Sequence, residues 1–425
     1  MPASGVAARF PSVPVDLPAG EFVVRGVRLP GRADLQDISV SKGRIAAIGH
    51  ELACDAPAVD GRGRLLTAGL VETHIHLDKA GIIGRCQICE GTLAEAVAET
   101  SRAKSGFTVA DVYDRAAAVV EAAILGGTMR LRTFVEIDPR AGYRSFEAIK
   151  AVRDRFAPAI DIEICAFAQE GLSNDPGTEE MLDRALNEGA DLVGGCPYTD
   201  PDPAGHIARI FELARRHGVA VDFHLDFDLD PTGSNLPRVI AETEARGWGG
   251  RVSVGHVTKL SAWRPDAFDA IGRRMAQAGV TVTVLPATDL FLTGRDADHL
   301  IPRGVTPAHR LAALGVTASI ATNNVLNPFT PFGDASLMRM ANLYATVAQA
   351  GTPEALDTVF SLVADSAARL LQPTSPYGVV VGAPADLVLF DAASPGEAVA
   401  RIAPALMSWK AGRPVMHRPP ARTYW

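Results

Sequence analysis

Eight short apolar segments rich in β-forming residues recur through the middle of this 425-residue chain, with helix-like stretches between them. They are LVETHIH (70–76), RLRTFVEI (130–137), IEICAFAQ (162–169), LVGGCP (192–197), VAVDFHLD (219–226), RVSVGH (251–256), VTVTVLP (280–286) and VTASIATN (316–323). VYDRAAAVVEAAILGG, FEAIKAVRDRF, MLDRALNEG and HIARIFELARRHG are typical of the intervening text. Strand then helix, repeated eight times over roughly 300 residues, predicts an α/β fold of the (β/α)8 (TIM) barrel type. A doubly wound sheet is the rival. It usually needs fewer strands and often a glycine-rich phosphate loop, and neither G-x-G-x-x-G nor a P-loop occurs.

The flanks read differently. From Glu21 to about Gly69, short apolar runs alternate with turn residues, and Ser41-Lys42-Gly43-Arg44 reads as a hairpin turn. Beyond the eighth segment come two helix-like stretches, at 334–350 and 353–371. Strand-like text then returns as YGVVVGAPADLVLFDA and ALMSWKAGRPVMH. The economical arrangement is one small β-sandwich-like domain built from both termini, residues 1–68 plus 373–425, beside a barrel at 69–372. Residues 1–19, rich in Pro, Ala and Gly, read as a terminal arm.

Composition narrows the class of partner. There are 41 basic and 49 acidic residues, net −8, without long like-charge blocks, which argues against a nucleic-acid surface. No apolar run approaches the ~20 residues that span a bilayer. The first twenty residues lack the basic start and apolar stretch of a secretory signal. Five scattered cysteines argue for a reducing cytoplasm, and Cys86 and Cys89, though spaced C-x-x-C, read as ordinary loop cysteines. The expected partner is a small molecule.

The histidines carry the chemistry. Side chains alternate along a strand, so His74 and His76 face the same way. His224 and His256 end the fifth and sixth segments. Barrel active sites collect at the C-terminal ends of strands. The four imidazoles are therefore expected to converge on one divalent transition metal. His50, His206, His217, His299, His309 and His417 fall in loops or helices and read as surface or packing residues.

With HIHLDK (74–79), AQEG (168–171), the run from His224 to Asp230, GH (255–256), LPATDLFL (285–292) and NNVLNPFTPFG (323–333), the chain resembles the amidohydrolase superfamily. The branch it resembles is the cytosine deaminase-like one, which includes N-isopropylammelide hydrolases. That resemblance implies one Fe or Zn ion on His74, His76, His224 and His256, which activates water. It implies that Gln169 hydrogen-bonds the substrate ring and that Phe329 flanks it.

Two positions depart from the pattern. Asn323 stands where the family has an aspartate, and Phe227 where deaminases of the branch have a glutamate. A carboxamide offers an oxygen but no charge and is no base near neutrality. A metal with only neutral ligands should acidify water more strongly yet bind more weakly. Proton handling at Asn323 therefore calls for help. Asp226 and Asp228 share the face of His224 if its strand continues, and Asp289 is a further candidate on the substrate side.

These observations predict a metal-dependent hydrolase acting on a C–N bond of a small nitrogen heterocycle or cyclic amide. One rival is an amidohydrolase-fold binding protein that has lost its metal and proton-transfer residues. Another is a lyase or isomerase working through an enolate. Family analogy adds that such barrels are often homo-oligomers.

Overall fold

The computed structural model describes residues 17–53, 55–372 and 375–419. The arm expected at 1–19 thus lies, up to residue 16, outside the described residues. In chain order the strands are β1 (Phe22–Val27), β2 (Gln36–Ser41), β3 (Arg44–Gly49), β4 (Ala58–Asp60), β5 (Leu65–Ala68), β6 (Leu70–Ile75), β7 (Thr128–Glu136) and β8 (Asp161–Ala168). They continue with β9 (Leu192–Gly195), β10 (Ala220–Leu225), β11 (Val252–His256), β12 (Val280–Val284), β13 (Ala318–Ile320), β14 (Leu387–Phe390), β15 (Ala405–Lys410) and β16 (Arg413–His417).

Strands β6 to β13 stand side by side in sequence order, each parallel to the next. Parallel strands need helical crossovers, which cover the outer face while side chains fill the inner one. That explains why β11 and β12 are buried at every residue. The ring closes at β6 and β13 through a parallel bridge between Ile75 and Asn323. Asn323 N donates to His74 O at 2.8 Å, and His76 N donates to Asn323 O at 2.8 Å. The chain forms the (β/α)8 barrel that its strand–helix alternation predicts.

The helix Pro203–His217 shows how the crossovers are specified. Asp202 caps its start by accepting from Gly205 N, Pro203 opens the first turn, and Gly218 ends it at φ 68°. Its buried residues include Ile207, Ile210, Phe211 and Ala214, the spacing of one helical face. Two helices, Leu93–Lys104 and Val109–Leu125, separate β6 from β7, and the first of them had no distinct sequence signal. The stretch 353–371 is split into Pro353–Ser361 and Asp365–Leu371.

The terminal β unit contains two four-stranded sheets, β3-β2-β1-β4 and β16-β15-β14-β5. The second joins the two ends of the chain through antiparallel pairing of β5 with β14, and the first does so through an antiparallel bridge between Arg44 of β3 and Pro384. The two share a core of Phe22, Val24, Ile38, Val40, Leu66, Leu387, Leu389 and Trp409. The predicted hairpin is present: Lys42 and Gly43 take φ of 50° and 73°, as a tight β2–β3 turn demands. Lys410 ties this unit to the barrel, donating to Asp161 Oδ2 at 2.8 Å and Asp386 Oδ2 at 2.7 Å. Cys86, Cys89, Cys165 and Cys196 are free, and no helix among the described residues is long and apolar enough to cross a membrane.

Trp409 is fully buried, stacks on Phe22 at 5.4 Å between ring centroids and donates its indole N–H to Pro18 O. Trp409→Ala is expected to cost about 3–5 kcal/mol, through lost burial and the cavity left behind. A fall in the denaturant midpoint of unfolding would register it, and an unchanged midpoint would show that the core does not depend on this ring.

Candidate metal centre and active site

Strand alternation places His74 on the inner wall of β6, and His76 follows just past its end. His224 reaches the same point from β10. His224 Nε2 lies 3.1 Å from His74 Nε2 and 2.9 Å from His76 Nε2. Gly255 makes room, because a Cβ there would come within 2.8 Å of His74 Cε1. Phe134 and Phe167 wrap the rings, with centroids 4.0 Å from His74 and 4.2 Å from His224 respectively.

Burial, followed by neighbouring positive groups and imidazoles, holds all three histidines well below their usual pKa. They are therefore neutral and keep lone pairs. Three such nitrogens cannot satisfy one another: His224 Nε2 has one lone pair or one N–H to set against two neighbours. The Nδ1 atoms of all three are also buried without a hydrogen-bond partner. Buried polar atoms short of partners call for an explanation, and a cation taking their lone pairs supplies one. The donor set thus fits a divalent transition metal.

His256 is not a member of this trio. Its Nδ1 sits 2.6 Å from Asp289 Oδ1, and its ring centroid is 5.3 Å from that of His224. Three of the four imidazoles expected to converge form a cluster of ring nitrogens, and the fourth, His256, holds Asp289 through its Nδ1. Asn323 is buried at φ 63°, and its Oδ1 has no hydrogen-bond partner. His76, His224, His256 and Asn323 line one small, tightly closed pocket with Lys79, Gln169, Tyr198, Phe227 and Phe329.

The sequence-predicted carboxylates lie elsewhere. Strand β10 ends at Leu225, and Asp226 turns away at φ 53°, so the shared face with His224 does not extend to it. Asp226 accepts from Ser234 Oγ at 2.5 Å and Asn235 N at 2.9 Å, organising the loop before the next helix. Asp228 is half exposed and pairs with Lys259 Nζ at 2.6 Å. Neither lines the pocket. Asp289 is on the short helix Pro286–Leu292, behind His256 and outside the lining.

Lys79 had no role assigned from the sequence, although it ends the HIHLDK motif. Its ammonium donates to Glu136 Oε1 at 2.6 Å and Gln169 Oε1 at 3.3 Å, and lies 4.5 Å from the Phe329 ring centroid. Glu136 also accepts from Lys104 Nζ at 3.0 Å, which in turn donates to Asp138 and Glu170. Burial pushes Glu136 up, but Lys104 and Lys79 outweigh it and hold the carboxyl at about 2. No spacing rule could place these groups, since their partners come from three separate strand ends. Phe227 meets His256 edge-on at 4.6 Å.

Residues 117–416 match the profile of the Amidohydrolase family, and the chain belongs to that family. It is thereby a hydrolase of the class acting on non-peptide C–N bonds. It is similar to a pterin deaminase of Rhizobium rhizogenes, 29% identical over 91% of this chain and 89% of the relative. An N-isopropylammelide isopropyl amidohydrolase of Pseudomonas sp. is 25% identical, over 92% of this chain and 96% of the relative. The crystal structure of 5-methylcytosine deaminase from Klebsiella pneumoniae superposes with a TM-score of 0.91 at 28% identity, covering 95% of this chain and 99% of the other. The resemblance to the cytosine deaminase-like branch is thus borne out.

Glu72 sits beneath the trio. Its carboxyl accepts from His74 N at 3.0 Å and from Thr322 N at 3.1 Å, spanning the seam where the barrel closes. Burial raises it to about 7, against the pull of those hydrogen bonds. Between pH 4.5 and 7 the unfolded chain loses this proton while the folded one keeps it, so stability falls as pH rises through that window. Glu72→Gln, which keeps an acceptor for the amides, is expected to remove a penalty of a few kcal/mol above pH 7. Thermal unfolding at pH 5 and pH 8 would show the variant gaining relative to the parent only at the higher pH.

Proposed function

We propose that this protein is a cytoplasmic, metal-dependent hydrolase that cleaves a C–N bond in a small nitrogen heterocycle or cyclic amide. The observation that carries this reading is the meeting of three neutral imidazoles beside a His256–Asp289 pair that faces the same pocket. The names of the relatives, a pterin deaminase, an ammelide amidohydrolase and a 5-methylcytosine deaminase, support the substrate class.

His74, His76 and His224 would hold one Zn or Fe ion, with Asn323 Oδ1 as a neutral fourth donor. In such a setting a divalent cation supplies Lewis acidity, making water acidic enough to react near neutral pH. His256 then does the proton work. Asp289 accepts the Nδ1–H, which leaves Nε2 as the acceptor for a proton from the attacking water. Water adds to the sp2 carbon, the same imidazole returns the proton to the departing nitrogen, and the C–N bond breaks. Asp289 stabilises the imidazolium between these steps. Phe227 cannot move a proton but fixes the His256 ring from the side. Phe329 and Gln169 orient the substrate ring, Asn323 supplies only an oxygen, and Asp226 and Asp228 organise the loop.

Two outcomes test this. Asn323→Asp adds an anionic ligand, so elemental analysis should find more bound Zn or Fe per chain than in the parent, with circular dichroism unchanged. No gain would remove Asn323 from the metal's surroundings. Asp289→Asn should lower kcat by about 10²–10⁴-fold with KM and metal content little changed, because an amide donor at Nδ1 forces the proton onto Nε2. A screen of pyrimidines, triazines, pterins and lactams supplies the substrate. Metal-bound protein that turns over none of them would favour the non-catalytic binding protein.

A further inference from the structure

We propose that residues 86–100, a loop and the first turns of the helix Leu93–Lys104, form a lid that must lift to admit a substrate, and that Arg295 is its clasp. This rests on taking the pocket as the substrate site. The pocket has about 10 Å³ of free volume, room for a water at most and not for a heterocycle. Leu93 lines it. Ala96 and Val97 pack with Leu93 onto Phe227, Leu292 and Phe329, so this end of the helix is an apolar stopper in the roof. A ring enters only if part of that roof moves.

The other parts of the roof are tied down. The helix Pro286–Leu292 is held through Asp289, which meets His256 Nδ1 at 2.6 Å and accepts from Leu285 N at 3.2 Å. Phe329 is held by Asn327, whose Oδ1 accepts from Phe329 N at 3.0 Å and whose Nδ2 donates to Asn324 Oδ1 at 2.7 Å. Residues 86–100 bond instead to one another. Glu95 accepts from the amides of Cys89, Glu90 and Gly91, and Glu99 from that of Gln87. Among the described residues, one hydrogen bond joins the segment to the rest of the roof: Arg295 Nη1 donates to Glu90 O at 3.1 Å. Arg295 is rooted in the opposite wall, where its Nε donates to Phe291 O at 3.1 Å and its guanidinium lies 4.7 Å from the Phe291 ring centroid. The far end of the helix is anchored, because Lys104 sits among its carboxylates and Arg140 Nη1 donates to Ser101 Oγ at 3.1 Å. A segment clasped at one end, hinged at the other and in sparse contact with its neighbours has the construction of a lid.

Thr288 lines the pocket and is buried, so the thiol of Thr288→Cys reports opening. Its alkylation by iodoacetamide, mapped by peptide mass spectrometry on the full-length protein, should quicken about three- to tenfold when Arg295→Ala is added, the scale of one hydrogen bond. The fully buried Cys165 of β8 should react no faster, which separates lifting of the lid from global unfolding. A rate unchanged at residue 288, or raised equally at Cys165, overturns the proposal. Hydrogen–deuterium exchange of the parent protein needs no variant to fold. Amides of residues 86–97 should exchange faster than those of residues 289–293, and equal or slower exchange overturns the proposal as well. Neither readout depends on metal or turnover, so a lid that opens over an inactive pocket would sink the hydrolase reading and leave this one standing. Turnover beneath a segment that fails both measurements would do the reverse.

Discussion

The backbone hydrogen bonds of Asn323 hold the site together. Its N–H and C=O pair with His74 O and His76 N, and these bonds close the ring between β6 and β13. The residue that seals the barrel therefore lines the pocket, between the strand that supplies two imidazoles and the seam that fixes their height. Glu72 reinforces the same junction by accepting from both sides of it. Asp226, His256 and Asn323 all take positive φ at the strand ends, a region that Asp, His and Asn tolerate better than most residues. Those turns aim each strand end differently: into the pocket at His256 and Asn323, away from it at Asp226.

Charge is partitioned sharply around this opening. Inside it are neutral imidazoles, a carboxamide and aromatic walls. Lys79, which reaches the lining, and Lys104, Glu136, Asp138 and Glu170 behind it form a buried network in which every ammonium meets at least one carboxylate. Such networks are costly to desolvate and are kept only when each member is paired. Here the network fixes Lys79 at the pocket edge and keeps its carboxylates out of the lining. Asp289 is likewise excluded from the lining and meets the pocket only through its contact with His256.

Much of the architecture was legible in the linear text. The period of strand and helix specified the barrel, and the return of strand-like text near the C-terminus signalled a β unit shared by both ends. The strands of one of its two sheets are all N-terminal, and that sheet reaches the C-terminal segment through the bridge of Arg44 to Pro384. YGVVVGAPADLVLFDA reads as a long strand segment, yet only Leu387–Phe390 forms a strand, with a bridge at Pro384 to β3 before it. The long apolar run is thus divided between two partners, β3 and β5, because pairing is a tertiary fact.

The sequence by itself determined the strand ends that carry His74, His76, His224 and His256, because alternation and strand order follow from local pattern. It also settled that Asn323 and Phe227 carry no charge. Only the tertiary structure decided that three of those imidazoles meet while the fourth turns to Asp289, that Asp226 and Asp228 serve a loop, and that Lys79 borders the pocket. Those outcomes depend on where a chain leaves its strand and on partners from distant segments, and spacing along one strand holds no information about either.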